Sequence, residues 1–250
     1  MESTTFLTIN GESISLNQTL KYLRNAGSFP RFINDVLRQH LLETELAARE
    51  DIKVSSLQVD QAIMDFRVQS KLTDAKKFQQ WLGTTGNSYE NFQSQIAFAI
   101  KVEKLKTELS ESKLTEYFEA RKPLLDKVVL SRIILEDQKL ADNLQQQLMN
   151  DPNLFFTLAS KHSLAEDRSV GGKMKGVRKG QLPEVIRNAL DTAQVGQIIG
   201  PITIDNRFCI FSFEEVQRTT LDEVKLELRN QIFEEWVGEK LTKMEIKLEV

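Results

Sequence analysis

Few side chains in this chain carry chemistry by type, and their spacing restricts what that chemistry is. The 250 residues hold two histidines, His40 and His162, and one cysteine, Cys209. A lone thiol excludes an intrachain disulfide and a thiolate zinc centre. Two imidazoles far apart in the chain, each on a helical pattern, give no metal cluster, so no metal is expected. Cys209 sits in an apolar run and neither histidine is tied by its neighbours to a nucleophile, which disfavours serine- and cysteine-hydrolase chemistry. The stretch Gly171-Gly172-Lys173-Met174-Lys175-Gly176 has the composition of a phosphate loop without its GxxxxGK[ST] order. No strand leads directly into it and no helix opens after it, so neither a nucleotide nor another cofactor is expected. A tight turn with close backbone packing beside a strand suits these glycines better. Lys173, Lys175, Arg178 and Lys179 lack interleaved aromatics, which fits a solvated loop or an acidic partner better than RNA or DNA.

Composition sets the frame for these residues. Hydrophobic residues make up 40% and charged residues 28% of the chain, enough for a substantial core in one large domain or two modest ones. The 33 basic and 36 acidic residues leave a formal charge of -3, so no nucleic-acid partner is expected. No run of eighteen apolar residues occurs, hence no expected membrane span. Met1 to Asn10 lacks the charged start and apolar middle of a signal peptide, and the expected location is cytoplasmic.

The elements that must position a site follow from periodicity. Phe6 to Ile9 reads as a short strand closed by the turn pair Asn10-Gly11. Ser15 precedes a helix through Leu16, Leu20 and Leu23, ended by Gly27. Pro30 starts another, continued by Phe32, Ile33, Val36, Leu37, Leu41 and Leu42. Further helices carry Val59, Ile63 and Phe66, and then Phe78, Trp81 and Leu82 up to Gly83. Asn87 with Glu90 has capping-box spacing ahead of a helix reaching about Leu109, and a short helix with Leu114, Tyr117 and Phe118 ends before Pro123. The texture changes near Asp126. Val128 to Leu135 is an expected strand, Glu136 to Met149 a helix, and Asp151-Pro152 opens a helix through Phe155, Phe156 and Leu158. After the glycines, Pro183 starts a short helix, and Gly200-Pro201 leads to strands at Ile202 to Ile204 and Phe208 to Phe213, joined at Asp205-Asn206. The tail returns to helix through Leu221, Val224, Leu228, Ile232, Trp236 and Val237, and Glu245 to Val250 alternates like an edge strand. A single amphipathic helix cannot bury its stripe alone. Packing back on the N-terminal helices is the economical solution, and a dimerisation helix is the alternative.

The ordered signals of the middle segment resemble the parvulin family of peptidyl-prolyl cis/trans isomerases. The stretches that carry the resemblance are VVLSRIIL (Val128 to Leu135), FFTLASKHS (Phe155 to Ser163), GGKMKGVRKGQL (Gly171 to Leu182) and VGQIIGPITIDNRFCIF (Val195 to Phe211). TINGESIS (Thr8 to Ser15) with the helices around it is similar to the chaperone domain of SurA- and PrsA-type folding factors. The resemblance implies an α+β fold. A mostly helical, discontinuous chaperone domain (1–126) carries an inserted parvulin-like α/β domain (127–216), and a C-terminal helix and short strand (217–250) pack back on the N-terminal domain.

It also implies a site and marks where this chain departs from it. The floor that holds a proline ring falls at Leu182 and Ile186, for which ordinary core packing is the competing reading. The two signature histidines fall at Arg132 and Cys209, so both are replaced. The cysteine-or-aspartate position falls near Ala165, with Glu166 and Asp167 adjacent, and Asn206 and Phe208 complete the expected substrate contacts. An arginine and a cysteine cannot reproduce paired imidazoles. Arg132 needs a carboxylate or several carbonyls if buried, and Glu166 or Asp167 could supply one; otherwise it could face a substrate carbonyl. The expected function is an isomerase-like folding factor or chaperone binding unfolded or proline-containing polypeptides, with catalysis weak or lost. The alternative is a non-catalytic adaptor or peptide-binding module for a dedicated secretion or peptide-processing partner. Exposure of Phe29, Phe66, Trp81, Tyr89 or Trp236 would favour a chaperone groove.

Overall fold

The computed structural model describes residues 5–248. The chain divides into two units, Met1–Lys113 with Arg229–Val250, and Leu114–Leu228.

In the first unit, β1 (Thr5–Ile9) and β2 (Glu12–Ser15) form an antiparallel hairpin, where the sequence pattern indicated one strand. Asn10 and Gly11 at its tip have φ of 50° and 86°, the left-handed pair that a two-residue turn demands. Ser15 then caps α1 (Leu16–Asn25) reciprocally. Its hydroxyl accepts the Gln18 amide at 3.2 Å, and the Gln18 side chain accepts the Ser15 amide at 2.8 Å. α2 (Phe29–Ala47) starts with Pro30 in its first turn. α3 (Ser56–Gln69) and α4 (Ala75–Thr84) are capped by Ser55 and Asp74. α5 (Tyr89–Glu111) is capped by Ser88, whose hydroxyl accepts the Asn91 amide. The expected cap, Asn87, instead accepts a bond from the Gln95 side chain. Its place is one residue too early to reach the first free amides.

Among the described residues, two small cores belong to this unit. Val59, Ile63, Phe78, Leu82 and Phe92 form one, with the rings of Phe66 and Trp81 packed 5.2 Å apart at its edge. Leu41, Leu42, Leu46 and Leu105 form the other with Phe233 and Val237 of the C-terminal helix. Arg38 on α2 meets Glu234 with two parallel bonds of 2.6 and 2.7 Å. Residues 5–40 contribute only Ile14 and Leu20 to the buried set, while Phe6, Leu16, Tyr22, Phe32 and Val36 stay exposed.

The second unit opens with α6 (Leu114–Leu125), which runs through Pro123 where the sequence pattern ended it. Only two helical residues follow this proline, so the bond it forfeits lies in a fraying last turn. The second compact unit begins at Leu114, whereas the sequence pattern put the change of texture near Asp126. Thr219 donates its hydroxyl to the Leu125 carbonyl at 2.8 Å, and Asp126, buried, accepts the Thr219 amide and an Arg218 guanidinium N–H, each at 2.8 Å. Strand β3 (Lys127–Leu135) follows, then α7 (Gln138–Asn150), a short 3-10 turn at Pro152, α8 (Phe155–His162), β4 (Val177–Arg178), α9 (Glu184–Thr192), β5 (Ile198–Ile204) and β6 (Arg207–Gln217). The sheet is antiparallel throughout, in the order β4-β3-β6-β5. Asp205 and Asn206 join β5 to β6 with φ of 48° and 61°.

α10 (Leu221–Thr242) begins in the second unit, where Glu227 accepts two bonds from Arg178 at 2.7 and 2.8 Å, and ends in the first. Glu245 to Leu248 is irregular rather than the expected edge strand, and Glu249 and Val250 lie outside the described residues. Four alternating residues with no ladder partner do not hold a strand.

Strand alternation divides the second unit's core. Val128, Leu130, Cys209, Phe211 and Phe213 face Leu182, Ile186 and Leu190 of the α9 side. Ile133, Leu135 and Ile210 face the α7–α8 side, against Leu144, Leu148 and Phe155.

Candidate functional site

The site residues come together on the α9 face of the sheet, and each is held by a traceable contact. Arg132 lies on β3 between Leu130 and Ile134, directly opposite Phe211 of β6. Its main-chain N–H donates to the Gly172 carbonyl at 2.9 Å, and the Gly172 N–H in turn donates to the Asp167 carbonyl at 2.9 Å. Gly172 has φ of 72°, and a Cβ there would run into the Arg132 carbonyl oxygen. Only glycine brings the loop this close to the strand.

Ser163, fully buried, fixes the start of the same loop. Its hydroxyl accepts the N–H groups of Ile134 at 3.1 Å and Ala165 at 3.2 Å, while the Leu164 N–H donates to the Ile134 carbonyl at 2.8 Å. A 3-10 turn over Glu166–Val170 then carries Asp167 back to the strand, where Oδ2 accepts the Arg132 Nε–H at 3.0 Å. The side chains of Arg132 and Asp167 remain 33% and 21% exposed. Asp167 Oδ1 is buried and accepts no hydrogen bond among the described residues. The pair is thus single-pointed rather than a two-bond fork.

The two residues expected to form an apolar floor lie in the core cluster on the same face of the sheet. Leu182 and Ile186 are only 6% and 5% exposed and pack with Leu130, Cys209 and Phe211, with Met174 half-buried against the same group. Cys209 faces Ile134 and Ile202 in the two ladders. Burial pushes its thiol above the usual range, partly opposed by the charges of Arg132 and Arg207. It therefore stays protonated at neutral pH and is no nucleophile.

Five of the eight expected site residues meet on this face or its rim, namely Arg132, Cys209, Leu182, Ile186 and Ala165. Ala165 is a buried packing residue at the head of the 3-10 turn. Glu166 is exposed beside it, and Asn206 is exposed at the tip of the hairpin. Phe208 points to the opposite face and packs with the Ile133 and Ile210 group. Its run is apolar on both faces, so alternation within the sequence cannot choose a side. Sequence reasoning missed Ser163 and Met174. Met174 was recoverable from its place between two solvated lysines in an extended stretch, whereas nothing marked Ser163 as buried.

A small antiparallel sheet covered by helices on both faces, with an apolar floor under a polar cluster, is the architecture of a rotamase-type domain. Residues 134–215 match the rotamase family described as the PPIC-type PPIASE domain. Arg132 lies just outside the matched span. The chain is 24% identical over 231 residues to chaperone SurA of Pectobacterium atrosepticum and 23% identical over 230 residues to chaperone SurA of Escherichia coli, each match covering 82% of this chain and 53% of the relative. The chain thus spans about half the length of these curated relatives. Among solved structures, the peptidylprolyl isomerase PrsA of Bacillus cereus shares the fold, with a TM-score of 0.57 and 19% identity over 100% of this chain and 95% of that one. Residues 134–215 thus resemble a parvulin-type isomerase domain, and the chain as a whole is similar to SurA- and PrsA-type proteins.

Proposed function

We propose that this chain is a folding factor that binds unfolded or proline-containing polypeptide, with isomerase activity weak or lost. Rotation about an X-Pro bond breaks no covalent bond, but the amide resists twisting by about 18–20 kcal/mol. Catalysis requires an apolar seat for the proline ring and a polar environment that favours the twisted amide over the planar one. The floor of Leu182, Ile186 and Met174 supplies the first requirement. The observation that carries the proposal is the Arg132–Asp167 pair at the second, where the family pattern has a histidine. A guanidinium held at Nε by a carboxylate and a buried thiol at Cys209 do not reproduce paired imidazoles.

The test is cis/trans exchange of a proline-containing tetrapeptide, measured with the unmodified chain alongside aggregation of an unfolded client. The expected result is suppressed aggregation with exchange at the buffer rate. Exchange accelerated a thousandfold or so, the scale on which positioned acid-base groups act, would overturn the weak-catalysis reading. Failure to bind any unfolded chain at micromolar concentration would overturn the folding-factor reading itself.

A further inference from the structure

We propose that Arg132, oriented by Asp167, holds the main chain of a bound polypeptide by donating its terminal N–H groups to a backbone carbonyl oxygen beside the Leu182–Ile186 floor. The inference rests on the polypeptide-binding reading above and names the contact through which that binding occurs.

Three observations lead to it. Asp167 engages only Nε, and Arg132 makes no other side-chain hydrogen bond among the described residues. Both terminal nitrogens are therefore left for another acceptor, on a side chain one-third exposed. Second, the group is anchored at two points. Its main chain is pinned to Gly172, its neighbours Leu130 and Ile134 flank it on the strand, and Asp167 holds its Nε at 3.0 Å. A donor fixed before binding loses little freedom on binding. Third, the charge is already balanced. A solitary guanidinium in this place would select a carboxylate or phosphate, whereas one neutralised by a carboxylate at 3.0 Å keeps its donors and loses its demand for an anion. Arginine has no acceptor, so the partner must supply one. The acceptor that every extended polypeptide offers, whatever its sequence, is the peptide carbonyl. Asp167 is accordingly a positioning residue, and the pair makes the site tolerant of sequence on either side of the proline.

Fluorescence anisotropy with two labelled, end-blocked tetrapeptides, Ala-Ala-Pro-Phe and Ala-Glu-Pro-Phe, tests this on the full chain. The unmodified protein is expected to bind both within about twofold, because a neutral pair gives little charge preference. Arg132→Met should weaken both about tenfold, the scale of a hydrogen bond from a charged donor. Arg132→Lys should not restore the loss, since an ammonium lacks the planar fork that Asp167 orients. Asp167→Asn should expose the charge and shift preference toward the glutamate peptide by about fivefold, a preference that about 0.5 M salt erases. The double variant Arg132→Met/Asp167→Asn removes both charges together and covers the case in which Arg132→Met alone unfolds around an unpaired carboxylate. Wild-type affinity in that folded double variant, with backbone amide shifts at Leu182 and Ile186 still reporting peptide, would overturn the inference and leave the binding reading intact. Absence of both binding and amide shifts in the unmodified chain would overturn the binding reading beneath it.

Discussion

The second unit and the N-terminal arm of the first make opposite use of apolar residues. The four-stranded sheet is covered on both faces, with Ile133, Ile210, Leu148 and Ala159 fully enclosed. Residues 5–40 form a hairpin and more than one helix yet bury only Ile14 and Leu20, and Phe6 is left 58% exposed. Local signals define the arm's shape: the left-handed pair at Asn10 and Gly11, the reciprocal cap at Ser15, and Pro30 in a first turn. Tertiary packing defines the sheet. Local signals order a segment without making it stable, so the difference between the two regions is one of energy more than of geometry.

Substitutions can break or sharpen that contrast. The largest effect is expected at Gly172→Val, which combines a left-handed backbone with a collision against the Arg132 carbonyl oxygen. A loss above about 3 kcal/mol in urea unfolding is expected, with the tryptophan-free second unit followed by its amide spectrum. A stable Gly172→Val protein would mean that loop and strand are not held together as described. Ile210→Ala comes next, at about 2–5 kcal/mol, because its side chain is wholly enclosed. The matching change in the arm, Phe6→Ala, should alter stability by no more than about 0.5 kcal/mol. An equal cost at the two positions would erase the contrast.

Asp126→Ala should cost about 1–3 kcal/mol, since it strands the buried Thr219 amide and frees Arg218. A further small effect concerns pH. The Arg178 bonds hold the Glu227 carboxyl below its ordinary 4.5, with burial opposing. A carboxyl so depressed contributes its full stabilisation above the ordinary value and loses it as pH falls through the folded one. Glu227→Gln should therefore lower stability at pH 7 by about 0.5 kcal/mol, as exposed pairs do, and flatten the decline below pH 4.5. Denaturant midpoints between neutral pH and pH 3 would show it.

Much of the framework was legible because short-range chemistry encodes it. The apolar run at Val128 to Leu135 became β3, Asp205-Asn206 became a turn, and Pro183 heads α9. Failures came where two local signals competed or where the deciding partner was distant. Asn87 and Ser88 are both capping residues, and only the backbone shows that the serine stands at the boundary. Phe208 belongs to a run apolar on both faces, so its side of the sheet depends on register with β3. In the site, Leu182 and Ile186 were singled out by the family pattern, and both lie buried in one cluster with Leu130 and Cys209, as ordinary core packing also requires. That Asp167 rather than Glu166 would meet Arg132 depends on how the 3-10 turn rotates, across a separation of 35 residues.

The knot at Asp126 has a mechanical consequence. Leu125 lies just before β3 and Thr219 just after β6, and those two points are bonded directly although Asp126 and Thr219 stand 93 residues apart. A pull applied at residues 125 and 219 is carried by that bridge ahead of the strands, so the Thr219 bonds should part before β3 or β6 is unravelled.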